Sequence, residues 1–223
     1  MRCHWSCLVI IVAVGAIASS CGEMGNPAGM SDAQQSEAAY ALTKPAKSSV
    51  LDVPGEYATI QDAVDAASDG AVIKVSPGIY QEQVEIRDLD DLNIWGDQAI
   101  ITVPEGGMMG PLVKIVNCEA FQLTGFTIDG DNGASVTPGR PNAGGDSDTR
   151  FYGLLVVNSS GHIVKNTIKD VSWGNGAQQG LGIYAQVRDG VARDINIREN
   201  AVTNFQKNGI TIRAEKIAAR KAA

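Results

Sequence analysis

The sequence predicts an all-β chain wound as a parallel β-helix of about five coils, with a short capping helix at its N-terminal end. Three observations predict it. One phrase recurs with fixed internal spacing: Leu123, Phe126 and Ile128, then Ile163, Asn166 and Ile168, then Ile197, Asn200 and Val202. A Gly- or Pro-led apolar run precedes each phrase, at 111–116, 153–157 and 182–187, and a further run opens at Gly209. Within these units Val, Ile and Thr alternate with polar residues, and Asn, Asp, Gly and Ser mark the turns. A unit of this size cannot bury its apolar face alone, so successive units must stack.

The elements follow in order. Val50–Val53 opens the domain as a strand. Thr59 is an N-cap for a short helix whose Ile60, Ala63, Val64 and Ala67 share one face, and Asp69-Gly70 stops it. Such a helix covers the end of a solenoid that would otherwise expose an unpaired edge. Ala71–Val75, a turn at Ser76-Pro77-Gly78, and the run from Ile79 to Ile86 form the strands of the first coil; Leu92–Asp97 and Ala99–Ile101 begin the second. Leu123, Ile163 and Ile197 should stack as one internal row and Ile128, Ile168 and Val202 as another, at about 4.8 Å per coil. Asn166 and Asn200 fall at equivalent turns and form a structural ladder, side chain to neighbouring backbone. Cys118 lies in a turn and reads as a small buried hydrophobe.

The front of the chain is a targeting segment rather than fold. Arg2 is followed by the apolar stretch Leu8–Ala18, of signal-peptide length and short for a membrane span. It ends in Ile17-Ala18-Ser19-Ser20-Cys21, which resembles the lipobox of bacterial lipoproteins. The resemblance implies cleavage after residue 20 and acylation of Cys21, placing the protein on the bacterial cell envelope, at the outer membrane or cell surface. Residues 21–49 are rich in Gly, Ala, Ser and Gln without an apolar face, and form a flexible tether. The expected organisation is a signal peptide over 1–20, the tether over 21–49, the β-helix over 50–213, and an irregular or helical tail over 214–223. That tail holds one large apolar residue, Ile217, and the natural protein or its ancestor is expected to have had further coils.

The 223 residues carry a formal charge of −7, with no basic patch to neutralise phosphates, so nucleic acid is excluded as a partner. The stretch from Tyr57 to Ile86, with Pro77-Gly78, Tyr80 and Glu82, resembles the opening of the pectin-lyase-like superfamily of right-handed parallel β-helices, and of pectin methylesterases in particular. The resemblance implies a right-handed coil and covers about residues 50–213. It says little about activity, because that superfamily holds lyases, hydrolases, esterases, epimerases and binding modules. The catalytic motifs of its esterases, polygalacturonases and epimerases do not follow here. His162 begins a strand after a turn and reads as an exposed polar residue.

Two long segments, 129–150 and 172–180, leave adjacent coils after the same strand, and long loops on a rigid scaffold are where function is usually placed. Asp129, Gly130, Asp131, Asn132 and Gly133 alternate oxygen donors with glycine as Ca²⁺ loops do. Asp146 and Asp148 would complete a site if the loop folds back; a solvated turn held by Asp and Asn is the simpler reading. No cofactor is expected unless Asp129 and Asp131 hold Ca²⁺. A glycan site would use Asp129, Asp131, Asp146, Asp148 and Arg150, with Trp173 and Tyr184 as stacking platforms. The expected function is a surface-anchored module binding a polysaccharide or other cell-surface ligand, neutral unless Ca²⁺ bridges acidic groups. Two alternatives stay open: an incomplete or divergent polysaccharide lyase, hydrolase or epimerase, and a structural spacer.

Labelled palmitate fed to a bacterial host expressing the chain should be incorporated at Cys21. Label and membrane association retained in Cys21→Ser would overturn the assignment.

Overall fold

The computed structural model describes residues 49–133, 150–172 and 180–214. Those residues form a parallel β-helix. Five successive turns each contribute one strand to three parallel sheets. Sheet A holds β1 (Val50–Val53), β2 (Val72–Val75), β5 (Asn93–Gly96), β8 (Phe121–Thr124), β11 (Gly161–Val164) and β14 (Ile195–Arg198). Sheet B holds β3 (Gly78–Gln81), β6 (Ala99–Thr102), β9 (Thr127–Asp129), β12 (Thr167–Lys169) and β15 (Ala201–Val202). Sheet C holds β4 (Val84–Arg87), β7 (Pro111–Val116), β10 (Tyr152–Val157), β13 (Leu181–Val187) and β16 (Asn208–Ala214).

Register stacks the repeat phrases. Leu123 pairs with Ile163 and Ile163 with Ile197 inside sheet A. Ile128, Ile168 and Val202 align inside sheet B. Sheet C adds Val113, Leu154 and Ile183, and one further internal row of Ile115, Val156 and Ala185. These rows meet in one continuous core. Cys118 is completely buried at the corner from sheet C to sheet A, where it packs in the core, and burial pushes its thiol up.

The corner from sheet A to sheet B is the tight one. Asn166 Oδ1 accepts the Phe126 N–H at 3.0 Å while its Nδ2 donates to the Leu123 carbonyl at 3.0 Å. One turn on, Asn200 Oδ1 accepts the Asn166 N–H at 2.9 Å and its Nδ2 donates to the Ile163 carbonyl at 2.7 Å. Where the ladder is replaced by Phe126, its ring lies over the preceding turn at Gly96. A Cβ there would come within 2.6 Å of that ring, so only glycine fits.

The helix α1 (Ile60–Ala66) buries Ile60, Ala63 and Val64 and is capped at Thr59, whose hydroxyl accepts the Asp62 N–H at 3.0 Å. A second cap comes from outside the helix. The Glu82 carboxylate accepts the Ile60 and Gln61 N–H groups, each at 2.9 Å. The Tyr80 hydroxyl donates to the Ser76 carbonyl at 2.9 Å. The Pro-Gly-x-Tyr-x-Glu motif therefore fastens the capping helix to the first full coil.

At the other end the inward row of the last described turn is uncovered, with Ile212 69% exposed. No helix among the described residues is long and apolar enough to cross a membrane.

Ile168→Ala should cost about 2–5 kcal/mol, the usual penalty for emptying a packed aliphatic site. Denaturant midpoints compared with Lys165→Ala, an exposed position at the same corner, measure it. Equal midpoints would mean that Ile168 does not face the core.

Candidate functional site

Between sheets B and C the coil opens. β9 ends at Asp129 and β10 begins at Tyr152; β12 ends at Lys169 and β13 begins at Leu181. Asp129 and Lys169 pair in register, so both insertions leave from one corner, one rung apart. The preceding turn makes a smaller excursion there, over 103–110, between β6 and β7.

Charge at this corner is internally matched. Lys169 Nζ lies 2.5 Å from Asp129 Oδ2 and 2.9 Å from Asp170 Oδ2. Asn204 donates to the other oxygen of Asp170 at 2.5 Å. Hydrogen bonds to Asp129 and then Asp170 raise the Lys169 ammonium, and the Lys169 bond, followed by that from Asn204, lowers the Asp170 carboxyl. The free oxygen of Asp129 accepts the Asp131 N–H at 3.0 Å, the Asx geometry of a self-bonded turn, with exposed Asp131 opening a 3-10 turn over Asp131–Gly133. A Ca²⁺ ion at Asp129 would face the Lys169 ammonium. Among the described residues no three His, Cys, Asp or Glu side chains gather into a metal-holding group.

Of the other residues expected at this site, Arg150 and Tyr184 are described. Arg150 is partly buried and its Nε has no partner. No bond joins it to Asp129 or Asp131; its charge acts instead on the Tyr184 phenol. Tyr184 is not a stacking platform. It is 4% exposed, within a second apolar cluster of Val116, Tyr152, Leu155, Val157 and Leu181 on the outer face of sheet C. Its ring centroid is 5.4 Å from that of Tyr152, and burial, then Tyr152, pushes its hydroxyl up. Asp146, Asp148, Trp173 and Cys21 lie outside the described residues. His162 is exposed on β11.

A different face carries unmatched chemistry. On sheet A the inward residues Ile73, Ile94 and Leu123 alternate with outward Lys74, Trp95 and Thr124, which align rung by rung with Asp52. Together with Ser76 and Asp97 at the A-to-B corner they line an open groove of about 530 Å³. Trp95 is 52% exposed. Among the described residues the side chains of Asp52, Lys74, Trp95 and Asp97 have no hydrogen-bond or ion-pair partner, and the buried Thr124 hydroxyl also lacks one. Trp95 was reachable from sequence, because Ile94 points inward in the repeat and its neighbour must point out.

No protein family matches the chain, and no curated protein matches it. Among solved structures the chain is similar to a pectin methylesterase mutant crystallised in complex with a hexasaccharide. The identity is 13%, over 77% of this chain and 68% of that one, with a TM-score of 0.41.

Lys169→Met should destabilise by no more than about 1 kcal/mol, because the lysine is 37% exposed and solvent screens the pair. The sign with pH follows from the two shifts. Asp170, lowered, contributes above the ordinary aspartate value of about 3.9 and loses its contribution as pH falls through the folded value. Lys169, raised, contributes below the ordinary lysine value of about 10.4 and loses its contribution as pH rises through the folded value. The difference between wild type and variant should therefore hold from about pH 5 to 10 and shrink as pH falls through the lowered Asp170 value. A difference of equal size at pH 2 would assign the effect to packing of the lysine stem.

Proposed function

We propose that the chain is a glycan-binding module of the bacterial cell envelope, held there by lipid on Cys21 and a tether over 21–49. It binds through the outer face of sheet A and does not turn its ligand over efficiently. One observation carries the reading: Trp95 stands half exposed on a strand hydrogen-bonded on both sides, ringed by polar groups without partners. An aromatic face covers the apolar face of a pyranose, and the surrounding Asp52, Lys74 and Asp97 offer the donors and acceptors that sugar hydroxyls need. The sheet holds Trp95 rigidly, so little freedom is lost on binding. An open groove suits association better than chemistry, which gains from excluding water.

A second reading has one observation of its own. Asp52 and Asp97 border the same groove, and a pair of carboxylates is what glycoside hydrolysis uses. A polysaccharide-active enzyme is therefore the runner-up.

Glycan-array binding, with and without Ca²⁺, tests both. Trp95→Ala should lower affinity at least tenfold, about 1.4 kcal/mol, while Trp173→Ala should leave it near wild type. The reverse pattern would move the site to the 172–180 loop. Release of reducing or unsaturated ends would establish the enzyme, and absence of binding to any glycan would leave a spacer.

A further inference from the structure

The two edges of sheet C are finished differently. At the first, β4 already has a partner. The Gln61 side chain on α1 accepts the Glu85 N–H at 2.7 Å through Oε1 and donates to the Glu85 carbonyl at 3.1 Å through Nε2, as a neighbouring strand would. At the other, no described strand lies beyond β16. Exposed edges ordinarily carry an inward charge, a proline or a bulge that stops another strand from pairing. Here the inward residues are Ile210 and Ile212, 49% and 69% exposed, in register with the core residues Ile183 and Ala185.

The direction of the backbone groups on this edge follows from the rungs below it. In sheet C the inward residues turn their N–H and C=O groups to the following rung. Asn117, in phase with inward Val113 and Ile115, donates its N–H to the Val157 carbonyl at 3.0 Å. Asn158, in phase with inward Leu154 and Val156, donates to the Gln186 carbonyl at 3.0 Å. By the same phase Ile210 and Ile212 turn theirs away from β13, to the open edge.

This edge is complementary to itself. In an antiparallel pairing centred on Thr211, Ile210 of one copy lies opposite Ile212 of the other, and the reverse. All four residues face the joint, so each pair exchanges two hydrogen bonds. Opposite residues share a face, so the isoleucines stay on the core side and cover one another. Arg213, the single charge on the strand, falls opposite Gly209 and not opposite its own counterpart.

We infer that the open end of the solenoid binds a second copy of this chain, β16 against β16, about a two-fold axis through Thr211. Gln61 already occupies the opposite edge of sheet C, so like ends meet and the assembly closes at two instead of growing into a fibre. Ile195, Ile197 and Val202, partly buried in the same last turn, come to lie at the joint. The inference is independent of what the Trp95 groove binds.

A cysteine at position 211 tests the axis. Thr211 and its counterpart form a pair without mutual hydrogen bonds, with Cα atoms about 4.5 Å apart, within disulfide reach. Arg213 and its counterpart are offset by four residues along the strand, about 13 Å, and are out of reach. Thr211→Cys, Arg213→Cys and the parent chain are each expressed in full in a bacterial host, oxidised in whole cells with copper phenanthroline, and separated on a non-reducing gel. Thr211→Cys should give at least tenfold more crosslinked dimer than either of the others. Ile212→Lys added to Thr211→Cys should remove that dimer and keep the β-sheet circular dichroism, because the Ile212 side chain is exposed and its N–H faces the edge. Equal crosslinking at 211 and 213, none at either, or a Thr211→Cys dimer that survives Ile212→Lys would each overturn the inference and leave this edge to another segment or partner.

Discussion

The structure depends on how the tight corner between sheets A and B satisfies its backbone. A parallel coil turns there every rung, and each turn leaves N–H and C=O groups inside the molecule with no strand partner. The Asn166 carboxamide answers for two of them at once, the Phe126 N–H and the Leu123 carbonyl, and Asn200 does the same for Asn166 and Ile163. An unsatisfied buried polar group costs about 1–3 kcal/mol, so the ladder holds this corner to one length from rung to rung. Insertions are consequently excluded from it. They accumulate at the corner between sheets B and C, where 103–110, 130–151 and 170–180 all leave the coil.

That asymmetry shapes the surfaces. Sheet C receives the loops and carries an outer apolar cluster around Tyr152 and Tyr184. The long segments join β9 to β10 and β12 to β13, so sheet A takes no strand directly from either. The same economy explains Glu82. It belongs to the motif that resembles pectin methylesterases, and both of its oxygens are occupied by the N-terminus of α1.

Much of this was legible in the sequence because a repeat carries its own register. The rows through Ile163 and Ile168 follow from the phrase that contains them, and so does the alignment of Asp129 with Lys169, each one residue past a stacked isoleucine. The ion pair could have been read from that spacing alone. Tyr184 shows where the rule fails. Alternation points it outward, since Ile183 and Ala185 face the core, but outward on sheet C is not exposed. Period-two patterning reports the side of a strand and says nothing of a second layer beyond it. Within the loops no repeat exists, so Asp146, Asp148 and Trp173 had spacing but no register to place them. Trp95 had a register and lay in an ordinary strand, where segment length draws no notice.

Exposure of a large apolar side chain has two quite different origins in a solenoid. Ile210 and Ile212 are exposed because β16 is an edge: in register with Ile183 and Ala185, they are core positions with no following rung described above them. Trp95 is exposed with paired strands on both sides, β2 below and β8 above, so no missing neighbour accounts for it. Its exposure belongs to the finished surface. Glu85 closes an ion pair with Lys114 across rungs, as Asp129 does with Lys169, whereas Asp52 and Lys74, also in register on adjacent rungs, form none. An unmatched polar ring around an interior-strand tryptophan leaves hydrogen-bonding capacity and apolar area in water side by side. A sugar chain presents that same combination of surfaces, which is why the functional reading rests on this face and not on the loops.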